Sequence, residues 1–251
     1  MPVGTQHSTP GARTRGRRLA GAALPTRLPA AVRAPPSVLR TPSLISVLSA
    51  RLSPHEWRRR AVHMSPGLLP FLFFVIPHAD PLSWLVRGLA LAVPLMIAAL
   101  ALKTERLFAR RGDRGWMTSV VSYAVVTVTL LLAFPAQPEL GLTVTMILAF
   151  GDGSATLAGM LLRGRRLPWN SAKSWIGLSA FLTCSIPLGT LVYWGVSRPG
   201  VPFETALACV VPAVLAAALA ESLPTRLNDN IRVGVTGGLT IVATHAMFVG
   251  Y

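Results

Sequence analysis

The chain has 251 residues, 52% hydrophobic and only 13% charged, with a mean hydropathy of +0.53, which is too apolar for one soluble domain and reads as a polytopic membrane protein. Its net charge of +15 comes from 24 basic against 9 acidic residues, and all but two of the basic ones are arginine. Those arginines fall in an N-terminal tail and in loops between apolar runs, which suits anionic lipid headgroups and orientation in a bilayer and argues against nucleic acid as a partner.

Residues 1 to about 55 contain no acidic residue and are rich in Arg, Pro, Ala, Ser and Thr, so 1–57 is predicted to be a disordered basic tail ahead of a membrane domain over 58–251. The composition suits an organelle transit peptide as well as a plain solvated tail, and it lacks the apolar core of a secretory signal. The expected location is a bacterial plasma membrane, or a plastid membrane if the tail is a transit peptide.

After Arg58-Arg59-Arg60-Ala61-Val62-His63, apolar runs occur at about 64–77, 82–102, 117–134, 140–162, 174–196, 203–221 and 233–250. Most approach the ~20 residues a helix needs to cross a bilayer, the first being short. The prediction is an all-α transmembrane bundle of about seven crossings. Positive charge collects in the tail and in loops 103–116, 163–173 and 222–232, whereas loops 79–81, 135–139 and 197–202 hold one arginine between them, Arg198. The tail and the basic loops are therefore predicted to be cytoplasmic and the C-terminus to lie outside. Cys184 and Cys209 fall inside apolar runs without metal-ligand spacing and are read as small core residues.

The polar residues that stand out are on the basic side. Asp152 lies deep in an apolar run, where an unpaired charge costs roughly 2.5–3.5 kcal/mol. Its neighbours Gly151 and Gly153 allow the helix to break or another group to approach. Asp152, Thr156 and Gly159 are expected to share one face. Beyond a basic loop come Asn170, Lys173 and Ser174, at the start of the next apolar run; a lysine and a hydroxyl at a helix N-terminus suit phosphate oxygens, although no Walker A spacing is present. Glu221 closes the sixth run, and Asp229 lies between Asn228 and Asn230. With Asp152 these carboxylates are hard oxygen donors suited to magnesium and a triphosphate. The bland readings are an Asp152–arginine packing pair, a snorkelling Lys173 and a turn with a helix cap at 221–230. Glu105-Arg106 reads as a cytoplasmic ion pair, His63 as a headgroup contact, and His78 and His245 as packing or interface residues.

Gly151-Asp152-Gly153 with Ala155 and Gly159, Leu167-Pro168-Trp169-Asn170-Ser171-Ala172-Lys173-Ser174 with Gly177, and Glu221-Ser222-Leu223-Pro224 with Asp229-Asn230 resemble the diacylglycerol/polyprenol kinase family, which includes dolichol and phytol kinases and is related to phosphatidate cytidylyltransferase. Arg59-Arg60-Ala61-Val62-His63 and Glu105-Arg106 are similar to further family signatures, so the resemblance spans about 58–234. Two positions depart from it: Asn228, where relatives often have aspartate, and Gly234, where a proline commonly closes the motif.

The resemblance implies transfer of a nucleotide's terminal phosphate, commonly from CTP and alternatively from ATP, to a lipid alcohol with Mg2+. It implies metal binding by Asp152, Glu221 and Asp229. Gly151, Gly153, Asn170, Lys173, Ser174 and Asn230 would then serve the phosphates, and Arg59, Arg60, His63, Glu105 and Arg106 the headgroup region. Asp152, Lys173 and Asp229 are the expected catalytic set. A cytidylyltransferase using the same carboxylates and an ion-coupled transporter centred on Asp152 are the competing readings.

Overall fold

The computed structural model describes residues 52–104 and 115–250. Most of the basic tail, and the pair Glu105-Arg106, lie outside the described residues.

Among the described residues the regular structure is helical except for one small hairpin. Helix α1 (Pro54–Met64) starts inside the segment read as tail, with Ser53 as its cap, the Ser53 hydroxyl accepting from the Glu56 N–H at 3.3 Å. A tight turn, Ser65–Leu68, then leads into α2 (Leu69–Val75). Pro66 and Gly67 explain the break: a side chain at Gly67 would collide with Ala149 and Phe150, so only glycine lets this turn sit against the centre of the bundle. At seven residues α2 is roughly 10 Å long, far short of the ~30 Å of a bilayer core.

The other runs form α3 (Trp84–Lys103), α4 (Gly115–Ala133), a long span from Pro138 to Leu162, α7 (Trp175–Val196), α8 (Phe203–Ser222) and α9 (Asp229–Phe248). Five of these are long and apolar enough to cross a membrane, and the apolar part of α4, Met117–Ala133, is shorter. The seven apolar runs thus reappear as helical segments of an all-α membrane protein, the first as the broken α1–α2 entry.

The Pro138–Leu162 span consists of α5 (Pro138–Met146), a wider turn with π-type winding (Ile147–Asp152) and α6 (Gly153–Leu162). Every residue of α5 is buried, Glu139, Thr143 and Thr145 included, because other helices surround it. The core forms around it from Leu140, Val144, Ile147 and Leu148 with Phe181, Val210, Val214 and Ile241. Helices α8 and α9 pack closely through small residues: a Cβ at Gly237 would lie 3.4 Å from that of Ala217. Hydroxyls tie α4 to α5, the Tyr123 O–H donating to the Thr145 carbonyl at 2.9 Å and the Thr145 hydroxyl to Thr127 Oγ1 at 3.2 Å. By contrast α3 is peripheral, with 17% of its span buried against 56% for the central one.

Between α6 and α7 the basic loop folds as a hairpin, β1 (Arg166–Leu167) antiparallel to β2 (Asn170–Ser174). Among the described residues the loops fall into two groups, one at each end of the bundle. Asp80, Gln137, Arg198 and Gly250 line one cavity, while Arg59, Lys173 and Asn228 line another. At the first of these ends His78 bridges the Ile76 and Val196 carbonyls, both at 3.0 Å, and buried His245 meets the Tyr193 hydroxyl at 2.6 Å, as packing roles require.

Candidate active site

The second cavity, of about 340 Å³, is where the polar residues of the basic side converge. Arg59, Arg60 and His63 reach it from α1, Asp152 and Thr156 from the central span, Lys173 from β2, and Asn228, Asp229 and Asn230 from the start of α9. Its remaining wall is largely apolar and comes mostly from α3 and α4.

Asp152 ends the wide turn and is buried. The helix does not break at its flanking glycines; they admit neighbours instead. A Cβ on Gly151 would meet Ser185 and Phe181, and one on Gly153 would lie 2.6 Å from Met64 Cγ. That contact brings the end of α1 over the turn, so that His63 Nε2 lies 3.0 Å from Asp152 Oδ2. The His63 ring meets Tyr123 edge-on, with centroids 5.7 Å apart. The side chain in direct contact with Asp152 is therefore a histidine, with the charges of Lys173 and Arg60 acting on the same carboxylate.

The hairpin aims Lys173. Asn170 Nδ2 donates to the Ser222 carbonyl and its Oδ1 accepts from the Ala172 N–H, both at 3.0 Å, while the Trp169 indole donates to the Ser222 hydroxyl at 3.3 Å. With the strand pinned to the end of α8, the Lys173 ammonium donates to Glu221 Oε1 and, at 3.0 Å, to Asp229 Oδ2. Burial opposes the lysine's charge, but the carboxylates of Glu221, Asp152 and Asp229 outweigh it and raise its pKa above the ordinary value.

Asp229 also pairs with Arg232, whose guanidinium donates to the Ala220 carbonyl at 2.6 Å and the Leu223 carbonyl at 2.8 Å and so closes the C-terminus of α8. Asn228 caps α9: its Oδ1 accepts from the Asn230 N–H and the Ser122 hydroxyl, both at 2.9 Å, and its Nδ2 donates to Ser119 Oγ at 3.5 Å. An aspartate here would keep both bonds to Oδ1 and exchange the Nδ2 donation for an acceptance from the Ser119 hydroxyl. Gly234, the other departure, faces Val126, whose Cγ2 would lie 3.0 Å from an added Cβ.

The expected site residues thus divide into two groups. Asp152, Lys173, Asp229, Asn230, Arg59, Arg60 and His63 share one cavity. Glu221 is drawn onto Lys173 and does not line the cavity. Asn170 is committed to the hairpin, the Ser174 hydroxyl caps α7 by accepting from the Gly177 N–H at 3.1 Å, and Gly151 and Gly153 act through close packing. Among the described residues no three His, Cys, Asp or Glu side chains converge as a ready-made metal site. Magnesium usually takes only one or two carboxylates and completes its shell with water and phosphate oxygens, so Asp152 and Asp229, on one cavity, fit it better than a closed three-carboxylate cage.

Sequence reasoning passed over α3 and α4. The i, i+3, i+4 spacing of Ser119, Ser122 and Tyr123 inside an apolar run was a usable signal for α4. The Asn230 amide donates to the Ser119 carbonyl at 2.8 Å.

No family model matches the chain, and no solved structure matches it. Curated relatives do. The chain is 30% identical over 134 residues to a probable chloroplastic phytol kinase 1 of Oryza sativa subsp. japonica, an alignment that takes in 51% of this chain and 41% of that protein. It is 28% identical over 249 residues to a probable chloroplastic phytol kinase 2 of Glycine max, covering 85% and 79%. To the chloroplastic phytol kinase 1 of Arabidopsis thaliana it is 28% identical over 209 residues, covering 77% and 66%. In the rice protein and its wheat counterpart, the chain spans about two-fifths of the relative's length, 41% and 39%.

Proposed function

Proceeding from a chain related in sequence to the phytol kinases, we propose that it is an integral-membrane lipid kinase. It transfers the terminal phosphate of a nucleoside triphosphate, CTP in preference to ATP, to the hydroxyl of a lipid alcohol such as phytol, a polyprenol or diacylglycerol. The observation that carries this reading is the composition of one cavity: two carboxylates and a lysine ammonium at one side, and an apolar wall at the other.

Phosphoryl transfer asks chiefly for positioning and charge neutralisation. Lys173, anchored by Glu221 and Asp229, presents a fixed positive charge to phosphate oxygens, and Arg59 and Arg60 add to it. Asp152 and Asp229 are the oxygen donors that would hold Mg2+, which when bound neutralises phosphate charge. Glu221, in this reading, positions Lys173. The Asn228 cap and the Asn230 bond to Ser119 fix the loop that carries Asp229. The catalytic domain is 58–251 together with the first turn of α1, and the arginine-rich loops face anionic lipid on the cytoplasmic side. The bacterial location finds no support among relatives whose names are all chloroplastic, so the plastid reading of the tail gains weight.

The test is an assay of membranes that contain the protein, offered phytol, farnesol, a polyprenol, diacylglycerol or phosphatidate with CTP or ATP labelled at the α or γ phosphate. Label from the γ position on an alcohol is the expected result. Label from the α position of CTP on phosphatidate would replace the kinase with a cytidylyltransferase, and no transfer of either kind would overturn both.

A further inference from the structure

The apolar wall of the cavity has a pattern that its polar side does not explain. Pro94, Ile97, Ala98 and Ala101 of α3 all line it, at the i, i+3, i+4, i+7 spacing of one helix face. The opposite face carries Leu95, Met96 and Leu100, each more than half exposed on an apolar helix and so directed at lipid. Two alanines, a proline and one isoleucine thus line the inside while large flexible side chains cover the outside. Where this face meets α4, Val120 and Ala124 continue the wall, and Tyr123 leads to His63 and Asp152. Among the five described spans long and apolar enough to cross a membrane, α3 is the least buried, so this wall lies at the periphery of the bundle.

We infer that the inner stripe of α3, at Ile97, Ala98 and Ala101, is the seat of the acceptor's hydrocarbon chain and sets which chain lengths and branching patterns are accepted. The inference rests on the lipid-kinase reading. Between protein and lipid an apolar chain gains little from the hydrophobic effect, so selection on this wall is steric, by the groove that two alanines leave beside an isoleucine. At 340 Å³ the cavity is at the small end of ligand pockets, roughly 300–1,000 Å³, so it holds the hydroxyl and the first isoprene units while the rest of the chain stays in the bilayer.

The test compares alcohols of increasing length, from a five-carbon prenyl alcohol through geraniol and farnesol to phytol, in wild type and in Ala98→Phe, Ala101→Phe and the milder Ala98→Val, with Leu100→Phe as the lipid-facing control. The expected result is a tenfold or greater fall in kcat/KM for phytol in the phenylalanine variants, a smaller fall in Ala98→Val, at most a twofold change for the shortest alcohol accepted, and no change in Leu100→Phe. As a readout that needs no variant to fold, a farnesol analogue with a diazirine in its chain should cross-link wild-type protein within 94–101. Length profiles parallel to wild type, or cross-links confined to α7 and α8, would overturn this inference alone. A wild type that phosphorylates no alcohol would overturn the lipid-kinase reading beneath it.

Discussion

Lys173 carries more of the site than its place in a basic loop suggests. It is one of only two lysines in the chain, and it lies between Glu221 and Asp229, so its removal leaves the buried Glu221 without its cation and Asp229 with Arg232 alone. Lys173→Ala is expected to lower kcat by about 10²–10³ or more and also to reduce thermal stability. Asp152→Asn keeps the shape of its side chain; it should abolish turnover while the protein still inserts and purifies. Normal turnover in either variant, measured with the γ-labelled nucleotide, would remove that residue from the site.

At the far end Asp80 makes a prediction of the opposite kind. Burial raises its carboxyl to about 6, against the Arg198 N–H it accepts and the nearby charges of His78 and Arg198. A carboxyl raised in the folded state costs stability once ionised. Its contribution therefore falls as pH rises from about 3.8 toward 6 and is fully unfavourable at neutral pH. After solvent screening this amounts to the order of 1–2 kcal/mol. Asp80→Asn should raise the melting temperature in detergent at pH 7.5 and give little gain at pH 4. Equal gains at both pH values would show that the effect is not ionisation.

At the scale of the elements, the wide turn depends on glycine. Gly151 lets Phe181 and Ser185 close on the central span, so Gly151→Val overpacks a fully enclosed position and is expected to cost roughly 1–3 kcal/mol. Its signature would be a lower melting temperature with Asp152 still present; an unchanged one would show that α7 can give way. The sequence announced this turn only as a place where something must happen, through a charge flanked by two glycines. It did not disclose that the helix would widen without breaking, because winding is decided by what packs against the turn, here Met64 and Phe181. The hairpin was equally hidden: Asn170 has the spacing of a ligand, but its amide is consumed by Ser222, a partner 52 residues away. Glu221 shows the same limit, since only the fold reveals that Lys173 is its counter-charge. The grouping of Asp152, Lys173 and Asp229 was legible because charges in apolar runs are few and their order is informative. The α3 stripe was not, because alanine and proline in a membrane helix have no signature until a neighbour is known.

For the whole molecule, charge and shape agree. Among the described residues, the arginine-poor loops gather round one end of the bundle, while Arg59, Arg60 and Lys173 line a cavity at the other, and the predicted sidedness requires such a separation. Single cysteines replacing Arg165 and Ala136, in a background lacking Cys184 and Cys209, should react with an impermeant maleimide from opposite sides of sealed vesicles. Labelling of both from one side would refute the arrangement. Asp152 lies ten residues before Leu162, roughly 15 Å down the helix axis and so about half the depth of a ~30 Å bilayer core. Under the proposed function, a site that opens at the basic end of the bundle would hold Asp152 at the level of lipid tails, where a nucleotide phosphate and a lipid hydroxyl would meet.

The wide turn sets a phase relationship along the central span. Its extra residue rotates everything after it by about 100° relative to an unbroken α-helix. Side chains of α6 therefore point in directions offset from those an unbroken continuation of α5 would give, and Asp152, the last residue of the turn, meets His63. Deleting one residue from Ile147–Asp152 other than the aspartate would regularise the backbone and at the same time swing Asp152 away from its partner. Regular α-helical hydrogen bonding and the Asp152–His63 contact are thus alternatives, and the chain carries the irregular version.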